Sequence, residues 1–273
     1  MPELPEVEVT RLGVSPYLVG QRVTGLVLRR SGLRWPFPDN LAQKMVGQTV
    51  LSTGRRGKYL LVNFKKGTLI VHLGMSGHIR VLPDNTPAQL HDHVDIVLGK
   101  QLLRLTDPRR FGAVLWHDLL DGVLEQHHLL QKLGMEPLTD QFDGAVLYNG
   151  TRHRKIAVKQ MLLAGGVVVG VGNIYASESL FLSGISPTTP VDQISLARYK
   201  KLASAIKKIL AEAIIQGGSS LKDFVNVNGN SGYFQQNYFV YNRAGLPCRK
   251  CNTLIQQVKQ GQRSTFFCVK CQK

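Results

Sequence analysis

Residues 58–83 read KYLLVNFKKGTLIVHLGMSGHIRVLP. Three apolar runs, KYLLVNF, TLIVHLGM and HIRVLP, are separated by KKG and SG, where glycine lets the chain turn. This is the texture of strands joined by short turns, and it lacks the 3.6-residue spacing of a helix. The same texture extends in both directions. RVTGLVLRR (22–30), VDIVLG (94–99), QLLRLT (101–106) and AVLWH (113–117) read as further strands, with GK between two of them. Strands at this spacing build an antiparallel sandwich or barrel. We therefore expect residues 1–132 to form an antiparallel β-sandwich domain with flanking helices.

The texture changes beyond that point. LGMEPLTDQFDG (133–144) carries Gly and Pro and little apolar periodicity, and residues 133–150 read as a linker. SLARYKKLASAIKKILAEAIIQGG (195–218) is helical: Leu196, Tyr199, Leu202, Ile206, Ile209, Leu210 and Ala213 make one apolar stripe. Lys200, Lys201, Lys207 and Lys208 fall off that stripe and read as a solvated face. Gly217-Gly218 supplies a stop. GGSSLKDF reads as a turn into another helix, capped by Ser219 or Ser220. We place a helical domain at 151–236 and a separate tail at 237–273. The fold class is α+β, and the chain shows no internal repeat.

Composition narrows the partner. The chain has 34 Lys+Arg against 18 Asp+Glu, a net charge of +16, which points to a polyanion and first of all to nucleic acid. Location supports this: the 50 residues after Asp223 contain no acid, whereas a surface charged only for solubility would mix the signs. No apolar run is long enough to cross a bilayer, and the N-terminus lacks a secretory signal. We expect a cytoplasmic protein with no membrane partner.

All four cysteines lie in the tail. Cys248, Cys251, Cys268 and Cys271 read C-x2-C, sixteen residues, C-x2-C. Four thiolates at this spacing make a closed tetrahedral site for one structural Zn2+. Two disulfides are the other reading, and a reducing cytoplasm disfavours them. LIQQVKQGQRSTFFC (254–268), between the pairs, alternates around Gly261 as a β-hairpin does, which would present Arg263 near its turn.

The first eight residues, MPELPEVE, put three acids in a basic chain. Pro5, Glu6 and Glu8 suit the start of a helix, and Gly13 and Pro16 should kink or interrupt it. A second reading concerns Pro2. If Met1 is removed, Pro2 carries a free secondary amine, and α-amino groups titrate near about 7.7–8.0. Such an amine attacks an aldehyde carbon to give an iminium, an electron sink like a lysine Schiff base. Glu3 beside it could donate a proton to an oxygen leaving that carbon, and Glu6 could hold the turn.

PELPEVE (2–8), HLGMSG (72–77), TDPRRFG (106–112), GVGNIYASE (170–178) and the four-cysteine tail occur here in the order seen in bacterial formamidopyrimidine-DNA glycosylases. The chain resembles that family over nearly its whole length. The resemblance implies an N-terminal β-sandwich domain, a helical helix–two-turn–helix domain and a zinc finger. It implies a base-excision repair enzyme that removes oxidised purines (8-oxoguanine and formamidopyrimidines) from double-stranded DNA and nicks the strand by β,δ-elimination. The catalytic residues implied are Pro2 as nucleophile, Glu3, Lys58 and Arg263, with Glu6 supporting the nucleophile. Met75, Arg109 and Phe111 would fill the gap left by the extruded base, and Asn173 with Arg263 would grip the flanking phosphates. A thioether, a flat guanidinium and an aromatic ring suit that gap on physical grounds. Zinc would be the only cofactor, with no chemical part, and the protein would act as a monomer at the nucleoid.

Two stretches depart from the family text. Its usual L-L-D-Q is LLAG here, with Ala164-Gly165 in the last two places, and its VYGR is VYNR, with Asn242 at a position that tolerates left-handed backbone. SSLKDFVNVNGNSGYFQQ (219–236) reads as the loop over the extruded base. In HDHVD, His91 and His93 flank Asp92; we prefer structure or, for His91, a DNA-backbone contact over a metal pair, because no third ligand is evident. Two other functions compete. An endonuclease VIII-like glycosylase for oxidised pyrimidines shares the terminal-proline chemistry, but PELPEVE and the Met75, Arg109, Phe111 set favour purines. A non-catalytic zinc-finger DNA-binding protein leaves Pro2, Glu3 and Lys58 without a purpose.

Overall fold

The seven strands read from the sequence, with an eighth at Ser52–Arg56 that was not, pair into two four-stranded antiparallel sheets. The structure, a computed structural model, describes residues 2–218 and 238–273; the 219–236 loop and its capping serine lie outside the described residues. The chain divides into two compact units: the first holds residues 2–131 together with Gln216–Gly218, and the second holds Lys132–Ile215 and the tail from 238.

In the first unit, helix α1 (Leu4–Leu18) precedes β1 (Gly25–Leu28), α2 (Leu41–Met45), β2 (Ser52–Arg56), β3 (Tyr59–Phe64), β4 (Gly67–His72), β5 (His78–Pro83), β6 (Asp92–Leu98), β7 (Gln101–Thr106) and β8 (Ala113–Asp118). One sheet has the order β1-β6-β7-β5 and the other β2-β3-β4-β8. Alternation drives them together. Leu60, Val62, Leu69, Val71 and Val114 from one sheet share a buried cluster with Ile79, Val94, Ile96, Leu103 and Leu105 from the other. Val7, Val14 and Leu18 bring α1 into the same core. Each such side chain contributes about 1.5–3 kcal/mol on burial.

Pro16 does not interrupt α1, which runs to Leu18. The proline costs one bond, to the Leu12 carbonyl, and Leu12 is 49% exposed, so water can replace it. Val14 and Leu18, both wholly buried, hold the last turn.

Asp95 of β6 and Arg104 of β7 alternate with the core residues Val94, Ile96, Leu103 and Leu105. Arg104, 2% exposed, donates from Nε and Nη2 to the two carboxylate oxygens of Asp95, each at 2.8 Å. Its remaining N–H groups reach the Thr86 and Pro87 carbonyls at 2.9 Å. Burial alone would raise the Asp95 carboxyl, but hydrogen bonds from Arg104 and Arg29 outweigh it and hold the group below the ordinary carboxylate value. A buried ion pair satisfied on every side fixes strand register, since a one-residue slip would strand both charges.

The second unit holds α3 (Gly144–Thr151), α4 (Val158–Ala164), α5 (Asn173–Ser183), α6 (Leu196–Ile215) and a hairpin of β9 (Gln256–Gln260) and β10 (Arg263–Phe267). The expected stripe of α6 is buried from Tyr199 through Ala213, and only Leu196, at 38%, stays exposed. The segment before α3 is tied to this unit: Gly134 and Met135 donate to the Gly165 and Val167 carbonyls at 2.8 and 3.0 Å. Asp143 caps α3, accepting from the Ala145 and Val146 amides. Among the described residues, no helix is long and apolar enough to cross a membrane.

Candidate functional site

Three short pieces of the first unit carry Pro2, Glu3, Glu6, Lys58, Met75, Arg109 and Phe111, half of the residues singled out by sequence. The first is the start of α1. Glu3 is its N-cap and forms a reciprocal capping box with Glu6. The Glu3 amide donates to Glu6 Oε2 at 2.8 Å, and the two acids are 1% and 0% exposed. Glu6 therefore fixes the backbone that follows Pro2, itself buried.

The second piece is the β2–β3 turn, where Gly57 in left-handed conformation (φ 56°) precedes Lys58. Arg55 ties this turn to α1. It donates to Glu8 Oε2 and to the Gly57 carbonyl, each at 3.0 Å. Burial would raise the Glu8 carboxyl, but Arg11 and Arg55 hold it below its ordinary value.

The third piece joins two loops. Met75 lies in the turn after β4, and Arg109 and Phe111 in the β7–β8 connection. A Cβ added to Gly74 would lie 2.4 Å from Gly112 N and Phe111 C, so only glycine allows this approach. Asp107, wholly buried, links the two. Its Oδ1 accepts from Ser76 Oγ and its Oδ2 from the Gly112 amide, both at 2.8 Å, while the Arg109 amide donates to Ser76 Oγ at 3.2 Å. Arg110 pays for the tight loop with a left-handed φ of 58°.

The HDH stretch serves the same node. His93, 2% exposed, sets Nε2 at 3.0 Å from the Asp107 carbonyl, and the His91 carbonyl accepts the Asp107 amide. Asp92 accepts from Thr106 and Arg80. The His91 side chain is exposed. Sequence reading missed His72. Burial first, then the charges of Lys58 and Arg34, push its ring down to about 4. Its Nδ1 accepts the Gly74 amide at 3.0 Å, so the neutral ring presents Nε2–H as a donor. Only its place inside HLGMSG marked it.

In the second unit, Asn173 opens α5 and its Nδ2 donates to the Ser264 carbonyl at 3.0 Å. Lys159, wholly buried, donates from Nζ to the same carbonyl at 3.1 Å and to Thr265 Oγ1 at 2.8 Å. Both therefore hold β10 at the residue after Arg263. The turn before Arg263 has two left-handed residues, Gly261 (φ 51°) and Gln262 (φ 66°), the two-residue type that matches strand twist. Arg263 pairs with Gln260 across it and is exposed. Glu178, wholly buried on α5, accepts from the Phe239, Val240 and Tyr241 amides at 2.8–2.9 Å. Neither Lys159 nor Glu178 was singled out by sequence. Of the departures, Gly165 is the left-handed cap of α4 (φ 72°) and Asn242 is left-handed at φ 57°.

The four cysteine sulfurs lie within 4.8 Å of one another. The Cys251–Cys268 and Cys248–Cys271 separations are 3.4 and 3.9 Å, and a tetrahedral Zn–S bond of about 2.3 Å sets sulfurs about 3.8 Å apart. Burial and its neighbours push the Cys271 thiol up to about 12, while hydrogen bonding by Thr253 lowers Cys251 to about 6. Such crowding resists four bare thiolates and suits a dication. The donor set fits one structural Zn2+, closed to water.

Comparison with known proteins agrees piece by piece. Residues 1–114 match the formamidopyrimidine-DNA glycosylase N-terminal domain, residues 133–225 the H2TH domain of the same enzymes, and residues 245–273 the zinc finger found in FPG and IleRS. The formamidopyrimidine-DNA glycosylase of Herminiimonas arsenicoxydans is 66% identical over 273 residues, covering all of both chains. A Lactococcus lactis Fpg variant in complex with Fapy-dG-containing DNA superposes with a TM-score of 0.92 at 31% identity, covering all of both chains. The Lactococcus lactis Fpg bound to abasic-site DNA gives the same TM-score, identity and coverage. With three family models matched along the chain and relatives matched over the whole of both chains, the chain belongs to the formamidopyrimidine-DNA glycosylase family.

Proposed function

We propose that the protein is a bifunctional DNA glycosylase and abasic-site lyase of base-excision repair, removing 8-oxoguanine and formamidopyrimidines from duplex DNA. It acts as a monomer in the cytoplasm. Its working parts are a catalytic domain at 1–132, a linker that shortens from the expected 133–150 to 133–143 because α3 occupies Gly144–Thr151, a DNA-binding helical domain reaching 236 and a zinc finger at 237–273. One observation carries the reading: a buried Glu3–Glu6 capping box, closed at 2.8 Å, fixes the residue next to Pro2.

Once Met1 is removed, the Pro2 nitrogen attacks C1′ of the damaged nucleotide, the base leaves with the bonding electron pair, and the proton shed by the attacking nitrogen neutralises the departing base. Glu3 gives a proton to the sugar-ring oxygen as the ring opens, and the nitrogen lone pair closes the iminium. The iminium draws off electrons as the C2′ proton leaves, and the 3′ phosphate departs by β-elimination; a second, δ-elimination releases the 5′ phosphate. Lys58 and His72 Nε2–H bind phosphate beside the reacting sugar. Met75, Arg109 and Phe111 fill the vacated stack as one unit through Asp107 and Ser76. Asn173, at the positive end of α5, and Arg263 hold the flanking phosphates. The zinc ion, held by Cys248, Cys251, Cys268 and Cys271, keeps that hairpin folded.

Borohydride reduction of the protein mixed with an 8-oxoguanine duplex tests this directly. We expect a covalent adduct whose mass spectrum places the sugar on Pro2. We expect none from Pro2→Gly or from protein that retains Met1. A linkage on a lysine, or full activity with Met1 present, would overturn the nucleophile. Adducts on thymine glycol but not on 8-oxoguanine would make the substrate an oxidised pyrimidine.

A further inference from the structure

Beside the Arg109–Phe111 loop the first unit has an open cavity of about 450 Å³. Arg30, Arg34, Arg109 and Arg110 line it with Trp35 and Phe111, and none of the described lining residues is acidic. Four like charges around one concavity do not stabilise the empty protein; an anion does.

The wall opposite the loop is built, not draped. Leu33 and Phe37 donate backbone bonds to the Trp35 and Ser31 carbonyls at 3.0 and 2.9 Å, and Phe37 is 5% exposed. A Cβ on Gly32 would meet Trp35 O at 2.5 Å, so only glycine closes this turn. The Arg34 amide donates to the Gly112 carbonyl at 3.0 Å, which joins the wall to the loop that carries Arg109.

The aromatic faces decide between kinds of anion. The Arg34 guanidinium lies 4.7 Å over Trp35, and that of Arg109 lies 5.2 Å over Phe111. Each guanidinium takes one face of its ring, so that face offers no platform for an unstacked base. What remains are guanidinium N–H edges, which match phosphate oxygens.

We infer that Arg30 and Arg34 hold phosphates of the undamaged strand. This rests on the reading that Arg109 and Phe111 enter the gap, because the base they face there belongs to that strand. The cavity then favours a lesion in duplex over the same lesion in a single strand.

The test is a salt titration of affinity by fluorescence anisotropy, using the full-length zinc-loaded protein. The probe is a tetrahydrofuran abasic analogue, placed in a duplex and in the same strand alone. For Arg30→Ala/Arg34→Ala, duplex affinity should fall and its log–log salt slope should flatten by about two units, at about 0.9 per phosphate. Single-strand affinity should stay unchanged. Arg30→Lys/Arg34→Lys should restore the slope, since lysine still neutralises a phosphate. Equal losses on both probes would assign the cavity to the damaged strand. Unchanged slopes would mean no phosphate sits there, and lost affinity with the slope kept would put a base there. Each of these overturns the inference. Arg109→Ala and Phe111→Ala separate it from the reading beneath: if they leave base excision intact, the gap-filling role fails whatever Arg30 and Arg34 do.

Discussion

Replacing Asp107 with asparagine keeps the shape of a wholly buried side chain and changes what it can accept. One oxygen is lost, so either Ser76 Oγ–H or the Gly112 amide goes unpaired, at a cost of about 1–3 kcal/mol. The two loops then separate more easily. We expect Asp107→Asn to slow excision of 8-oxoguanine about ten-fold, the equivalent of one such bond. Nicking of a preformed abasic site, which has no base to push out, should slow less; parallel rate measurements on the two substrates check this. His72 gives a second expectation. Its folded ring titrates at about 4, against about 6.5 in an unfolded chain. Below pH 6.5 the unfolded chain takes up a proton that the folded ring refuses, so stability falls with pH until the folded ring also protonates near 4. His72→Gln should remove roughly 1–2 kcal/mol of the loss between pH 7.5 and 5, read from urea midpoints. The pH profile of activity above 5 should keep its shape.

The β9–β10 hairpin depends on a cation that sequence could not reveal. Lys159→Met fills the same space but leaves Thr265 Oγ1 and the Ser264 carbonyl without their donor. We expect zinc content to hold while amide exchange across residues 263–267 quickens and duplex affinity drops. Arg263→Ala should also weaken binding, flattening the salt slope by about one unit; retained protection in Lys159→Met would remove the hairpin role. A buried lysine reads as a surface charge in sequence because its partners lie 105 and 106 residues away. Local pattern served well where structure is local. The strands β1 and β3–β8 announce themselves by apolar alternation, and the stripe of α6 by its period. β2 was missed because STGRR has no apolar run; it is a strand through its pairing with Tyr59–Phe64. The candidate site residues inside motifs are marked by resemblance alone, whereas Asp107, Lys159 and Glu178 make their contacts only on folding.

At the scale of the whole molecule, the two units stand on different footings. The first rests on a large apolar core and a buried ion pair, the second on helices finished by a metal-bound tail. Chelating the zinc, or Cys248→Ser, should abolish DNA binding and unfold the tail while the near-native β signal of the first unit persists. Circular dichroism with and without chelator reads both; tight binding by zinc-free protein would refute the structural part given to the metal. The three amides that Glu178 accepts lie 61–63 residues later in the chain, and the carbonyl shared by Lys159 and Asn173 comes later still. A ribosome adding about 5–20 residues per second leaves these buried charges waiting for several seconds. The β-sandwich strands have by then all emerged, so the newborn protein matures in two instalments. A message cut short before codon 264 would yield a finished front half attached to a helical half that cannot close, a marked target for quality-control proteases.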